Sequence, residues 1–226
     1  MQKSILIVVI LLSAIFAKSQ ECNLYIPDRE GAKLEQTNYN AKGKVESVQT
    51  MVVKKVSTTP KGKKVDIHSV IKNVKGDEPP VEVDYTMWCR NGEFFIDLKR
   101  FVSGEYLASV DAKVTSDDMG YPANMSVGQK LDNGSVSVAM GASGGPTTMT
   151  MTVNITNRRV TAEEDVTTDA GTFHCYKIEY DVDTKMVMSF KMKGAEWIAK
   201  DVGVIKSESY NKKGKLTAYS LLTKIE

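Results

Sequence analysis

A chain of 226 residues with 30 Lys and Arg against 28 Asp and Glu carries a formal charge of only +2, which gives no electrostatic case for nucleic acid. A chain of this length buries about 70% of its unfolded surface, enough for one domain or two small ones. Three cysteines without a CxxC spacing and only two histidines form no metal-site pattern, so no metal and no cofactor is expected.

The N-terminus reads as an export signal. Lys3 supplies a positive start, residues 5–16 are apolar and small, and Ala17-Lys18-Ser19 places small residues three and one positions before a cut ahead of Gln20. The apolar run is shorter than the roughly 20 residues that span a bilayer, so residues 1–19 are expected to be a cleaved signal peptide and the mature chain to carry no transmembrane anchor. Residues 20–226 then form one exported domain, periplasmic or secreted. Lipidation of Cys22 is the alternative, but Ser19-Gln20-Glu21 lacks the small-residue approach that modification needs. In an oxidising compartment two of Cys22, Cys89 and Cys175 can form one disulfide. Cys89 shares a strand face with Val83, Tyr85 and Met87, whereas Cys175 alternates away from Tyr176, Ile178, Tyr180 and Val182. The two are therefore expected in different layers, and a pair containing Cys22 is favoured.

After the signal nearly every segment alternates at period two. Residues 45–58, 64–75 and 81–90 are rich in Val, Ile, Tyr and Thr, and Gly- and Pro-containing clusters separate them. Asn91-Gly92 tolerates positive φ at both positions and predicts a two-residue hairpin. One short helix is allowed over 101–110. The stretch 116–134 is the least regular, with 121–128 read as a loop crossing from one half of the sheet to the other. Strands follow at 135–141, 147–157, 160–168, 172–182 and 184–193. The last element, 195–225, reads as three strands, and its turn Tyr210-Asn211-Lys212-Lys213-Gly214-Lys215 nearly repeats Tyr39-Asn40-Ala41-Lys42-Gly43-Lys44. About ten strands with little helix to cover them predict an all-β fold: a single antiparallel, strongly curved sheet closing into a half-barrel or barrel, with a sandwich as competitor.

Two methionine-bearing strands are the candidate ligand site. Met149, Met151 and Val153 share one face, as do Met186, Met188, Phe190 and Met192, and methionine suits a surface that adapts to an apolar ligand. Ordinary core packing is the competing account. Gly141-Ala142-Ser143-Gly144-Gly145 matches G-x-S-x-G, with Asp165, Asp169 and His174 following in hydrolase order, but Pro146 and a strand stand where a nucleophile elbow needs a helix. No catalytic residue is therefore assigned. Asp66 and His68 share a face without a third metal ligand, and Glu163-Glu164-Asp165 has no second acidic cluster to complete an acid–base pair. Three turns carry Lys-Gly-Lys, at 42–44, 61–63 and 213–215, and could build a basic rim facing anionic headgroups or glycans. Asn124, Asn133 and Asn154 begin N-x-Ser/Thr sequences, which matter only in a glycosylating host.

Gly171 to Ile178, GTFHCYKI, with Glu196 to Glu208, EWIAKDVGVIKSE, resembles the TapB-like family of exported proteins of Gram-negative bacteria. Cys22 to Pro27 and the Tyr39 turn extend the likeness to the whole mature chain. Asp169 departs from the pattern where proline is expected, and Asp201 where glycine often stands. The resemblance implies a periplasmic β-rich fold similar to the half-barrels of lipoprotein carriers such as LolA, and transfers no catalytic residue. The function expected is a non-enzymatic binding or carrier module for a lipid, acyl chain or hydrophobic peptide. A structural or interaction protein of a cell-envelope assembly, with an envelope protein as partner, is the alternative.

Overall fold

The structure, a computed structural model, describes residues 24–59, 62–76, 79–98, 111–117, 119–141, 147–186 and 188–226. The segment 1–19 expected to be a signal peptide, Cys22, Lys61, the helix expected within 101–110 and Ser143 lie outside the described residues. The described strands are β1 (Lys33–Asn40), β2 (Val45–Thr59), β3 (Gly62–Asn73), β4 (Val81–Arg90), β5 (Glu93–Ile96), β6 (Asp111–Ser116) and β7 (Met119–Pro122). They continue with β8 (Gly134–Gly141), β9 (Thr147–Thr168), β10 (Gly171–Lys185), β11 (Ser189–Ala199), β12 (Gly203–Asn211) and β13 (Leu216–Ile225).

All belong to one antiparallel sheet in the order β6-β8-β9-β10-β11-β12-β13-β1-β2-β3-β4-β5-β7. The two edges, β6 and β7, are consecutive in the chain. Only two residues separate Ser116 from Met119, three steps along the chain that reach at most roughly 11 Å, so the sheet has to bend until its edges lie side by side. It remains open, because β6 and β7 are not paired with each other. The all-β, strongly curved half-barrel expected from the period-two pattern is the fold observed.

The seam between the edges is packed rather than hydrogen-bonded as a ladder. Ser116 Oγ donates across it to Asp97, at the end of β5, at 3.4 Å. Gly134 leaves room there for Leu98 and Met119, and a Cβ at this position would lie 2.9 Å from Leu98 Cδ1. The concave side is filled by Val65, Ile67, Met87, Phe94, Ile96, Ile178, Ile198 and Leu222, all buried. The N-terminal arm Leu24-Tyr25-Ile26 threads into this interior, tied by the Asp201 N–H to the Leu24 carbonyl at 2.7 Å and by Tyr25 Oη to the Pro122 carbonyl at 3.1 Å. Each buried side chain of this arm contributes about 1.5–3 kcal/mol to holding it there.

The turn chemistry follows the residues. Asn91 and Gly92 have φ of 55° and 76°, both positive as the two-residue hairpin requires. In the repeated turns Asn40 Oδ1 accepts from the amides of Lys42 and Lys44 at 2.9 and 3.2 Å, and Asn211 Oδ1 accepts from Lys213 and Lys215 at 2.9 and 3.1 Å. Asparagine here replaces part of the turn's backbone bonding, which is why the six-residue pattern recurs. Asp201, where the family likeness leads one to expect glycine, adopts φ 59°, a region that Asp and Asn tolerate better than most residues.

Three strand assignments are corrected. Residues 119–122 form β7, within the stretch read as irregular, before the chain crosses to β8. The stretch 147–168 is one strand, kinked by a register shift near Asn157, whose φ is 55°. The reversal read at residue 183 lies instead at 186–188, between β10 and β11, so Met186 and Met188 are turn residues and not part of a strand 184–193. The apolar alternation runs straight through this reversal without Gly, Pro, Asn or Asp, and so carries no turn signal.

The candidate binding face

The β1–β2, β10–β11 and β12–β13 turns share one end of the half-barrel, here the upper rim; the β4–β5, β9–β10 and β11–β12 turns share the other. Two of the Lys-Gly-Lys turns, 42–44 and 213–215, therefore stand together at the upper rim. The third, at the β2–β3 connection, belongs to the lower rim, so the three do not form one basic edge.

Residues paired directly across neighbouring strands share a face. On the concave face one such row crosses seven strands: Ile178, Glu196, Ser207, Ser220, Asn38, Ser47 and Asn73. Its members bond to one another, Ser207 Oγ to Ser220 Oγ at 2.7 Å and Asn38 Nδ2 to Ser47 Oγ at 2.9 Å. One row closer to the lower rim, Gln36 Nε2 donates to the Val204 carbonyl at 2.7 Å, and Gln49 Nε2 donates to Ser69 Oγ at 2.8 Å. Below these polar rows the lining turns apolar.

A cavity of about 360 Å³ opens along this surface, with Gln36, Gln49, Glu196 and Ser220 on its polar side and Leu34, Met51, Val83, Met87, Ile96 and Ile198 on its apolar side. Tyr25 and Ile26 of the arm also line it. Glu196 is 5% exposed and is the one charged side chain among the described residues of the lining. Tyr121 Oη donates to Glu196 Oε1 at 2.6 Å from β7, across the interior. On the far side of the Tyr121 ring lies buried Arg158, its guanidinium 4.7 Å from the ring centroid, donating through Nη1 to the carbonyls of Gly120 at 3.1 Å and Asp132 at 2.6 Å.

Glu196 is positioned from behind as well. Its neighbour Trp197 faces the opposite side of β11, where Nε1 donates to Glu164 at 2.6 Å. The Lys206 and Lys177 ammoniums lie 4.4 and 5.1 Å from its ring centroid. Lys206 pairs with Glu208 at 2.7 Å, and Tyr210 donates to the same carboxylate. Burial works to raise the Glu208 pKa, but the bonds from Lys206 and Tyr210 outweigh it and hold the group below its ordinary value. This outer network fixes the strand that carries Glu196 inward.

The methionines expected to line a cleft lie elsewhere. Val153 pairs through Thr184 to Phe190, and Ile155 through Val182 to Met192, so both expected strands do contribute to one continuous apolar area on the concave face. Met149, Met151 and Val153 are half-buried and pack against the core. Met186, Met188, Phe190 and Met192 are exposed, Met188 at 66% and Phe190 at 52%. They occupy the upper end of the β10–β11 hairpin, which projects beyond β12 because pairing with that strand begins only at Met192. None of these seven residues lines the cavity, nor a second, charged cleft of about 420 Å³ beside Arg159, Glu179 and Lys193.

Other candidates resolve into local networks. His174 is exposed and engages Asp165 through Nδ1 at 2.8 Å and Glu163 through Nε2 at 3.0 Å, and the bonds to Asp165 and Glu163 raise its pKa. Both ring nitrogens are thus occupied. His68 bonds Asp84 at 2.8 Å, while Asp66 accepts from Thr86 at 2.8 Å and pairs with Lys64, so these two do not converge on one point. No group of three His, Cys, Asp or Glu able to hold a metal occurs among the described residues. Cys89 is disulfide-bonded and Cys175 is free and buried, in keeping with their opposite faces. Burial, followed by the charges of Asp165 and Glu164, pushes the Cys175 thiol up to about 12. No helix among the described residues is long and apolar enough to cross a membrane.

The DUF3108-like family model matches residues 29–222. The fold is similar to that of a proposed lipoprotein from Parabacteroides distasonis, at 29% identity and TM-score 0.78, covering 92% of this chain and all of the other. It is also similar to a proposed exported protein with a YmcC-like fold from Bacteroides fragilis, at 24% identity and TM-score 0.76, covering 91% of this chain and all of the other. Among curated proteins none matches at a significant level.

Proposed function

The chain belongs to the DUF3108-like family, and on that premise we propose that it is a non-enzymatic, extracytoplasmic binding or carrier module whose concave face accepts an apolar ligand. The observation that carries this reading is the 360 Å³ cavity inside the half-barrel, apolar towards Leu34, Met87 and Ile198. Its volume falls at the lower end of small-molecule sites, about 300–1,000 Å³. The disulfide at Cys89 suits an oxidising compartment, and the similar proteins are described as lipoprotein or exported. The TapB-like sequence pattern and the LolA-like half-barrel belong to the same reading: a curved sheet that shelters a lipid or acyl chain from water. Native mass spectrometry of protein purified from an envelope fraction, with lipid extraction alongside, tests it. A bound amphiphile supports the proposal; protein recovered uniformly empty argues against a carrier.

A second reading, an interaction module of an envelope assembly, is favoured by the upper rim. There the exposed Met188 and Phe190 stand at the same end as Lys42, Lys44, Lys213 and Lys215. Lys44 lies so near Lys75 that its pKa is lowered, the mark of crowded positive charge. Capture of an envelope partner that survives Lys→Glu changes at all four lysines would remove this version.

A further inference from the structure

We infer that the ligand of the concave cavity is a single-chain amphiphile whose head group donates hydrogen bonds and carries no negative charge, with its head at Glu196 and its tail towards Leu34 and Met87. This rests on the binding reading above and adds the chemical class. The polar and apolar parts of the cavity are separated along the strands. From Asn38 in the polar row to Leu34 at the apolar end is four residues of β1, about 13 Å at 3.3 Å per residue. That distance and a volume near 360 Å³ suit one alkyl chain with a small head rather than a two-chain lipid.

The head-group preference follows from the donors and acceptors present. No Lys, Arg or His is among the described residues that line the cavity. Arg158, the nearest buried cation, lies behind the Tyr121 ring, gives Nη1 to two carbonyls, and does not line it. Glu196 has one oxygen engaged by Tyr121, and its carboxylate can only accept. Gln36, Asn38 and Gln49 each direct one amide N–H to a neighbour, which leaves their carbonyl oxygens as further acceptors beside one remaining N–H each, so the charge of Glu196 decides the sign of the preference. An ammonium or hydroxyl head meets this set with charge-assisted or neutral bonds. A carboxylate or phosphate head brings a second negative charge beside the buried Glu196, which like-charge repulsion disfavours.

Decylamine, decanol and decanoate share one chain and differ in the head, so isothermal titration of the full mature protein with each at pH 7.5 reads the preference directly. Decylamine is expected to bind at least tenfold more tightly than decanoate, with decanol between. Glu196→Gln keeps an oxygen for the Tyr121 hydroxyl and should reduce that ratio to threefold or less. Equal binding of all three overturns the head-group inference while the apolar-ligand reading stands; binding of none overturns both. A ratio that Glu196→Gln leaves unchanged also overturns the assignment to Glu196. Should that variant fail to fold, as judged by tryptophan fluorescence, the wild-type ranking still decides the sign.

Discussion

Removing the Tyr121 hydroxyl isolates one bond on which the interior depends. The Tyr121 ring is fully buried, 6.0 Å from Tyr25 and 6.3 Å from Phe94 between centroids, with the Arg158 guanidinium over its face. Tyr121→Phe keeps all of these ring contacts and deletes the 2.6 Å donation to Glu196. A hydrogen bond to a charged group is worth about 1.5–3 kcal/mol, and its loss leaves the carboxylate desolvated on that side. For a chain of this size each kcal/mol moves the midpoint by about 2–4 °C, so a fall of roughly 3–12 °C is expected. Urea unfolding followed by tryptophan fluorescence gives the free energy, and Tyr39→Phe, on the outer stacked pair with Tyr219 at 4.8 Å, serves as a control expected to stay within about 0.5 kcal/mol. In a Glu196→Gln background the same Tyr121→Phe change should cost only about 0.5–1.5 kcal/mol, because the acceptor is now neutral. A single variant within 0.5 kcal/mol of wild type, or a cost that is the same in both backgrounds, would show that this bond is not what joins β7 to β11.

Other outcomes follow from the same geometry. Peptide mapping without reductant should recover Cys89 linked to Cys22, the one remaining cysteine, and a lipid on Cys22 instead would refute that pairing. With its pKa near 12, Cys175 should react with a thiol reagent at pH 8 at least about a hundredfold more slowly folded than in denaturant, since the thiolate fraction is about 10⁻⁴. Burial, then the bond to Glu208, pushes Tyr210 up to about 12 from its ordinary 10, so the folded state holds this proton more tightly than the unfolded one. The stability it contributes should be fully present below pH 10 and fade between 10 and 12, and Tyr210→Phe should flatten that limb of the pH–stability curve. Among the described residues Arg158 Nε and Nη2 have no hydrogen-bond partner; Arg158→Met should be less damaging than Arg158→Lys by about 1 kcal/mol, because lysine keeps the buried charge and loses the planar contact with Tyr121.

The fold was legible because its determinants are local. Alternation at period two marks most of the strands, Asn91-Gly92 carries its turn geometry in two residues, and Asn40 and Asn211 show by their repetition that the same bonding recurs. Opposite parity was enough to separate Cys89 from Cys175. Legibility failed where the local signal was absent or shared. The Met186–Met188 reversal contains no turn residue, so periodicity ran through it. The kink at Asn157 looked like a strand break because a residue at positive φ interrupts the alternation without ending the pairing.

The binding face was illegible for a different reason. Asn38, Ser47, Glu196, Ser207 and Ser220 are unremarkable where each stands, and they become a row only through the registers of four strand pairs. A shift of one residue in any of those pairs would send its side chains to the outer face. The central pair, β1 with β13, joins the first and last described strands, and no local pattern reports it. One clue did lie in the open. Glu196 is a lone carboxylate inside the run Gly194-Ala-Glu-Trp-Ile-Ala199, and every residue of that run is buried. A charge is kept in such a place only where something meets it. Tyr121 meets one oxygen from across the half-barrel, and the other side of the group belongs to the cavity.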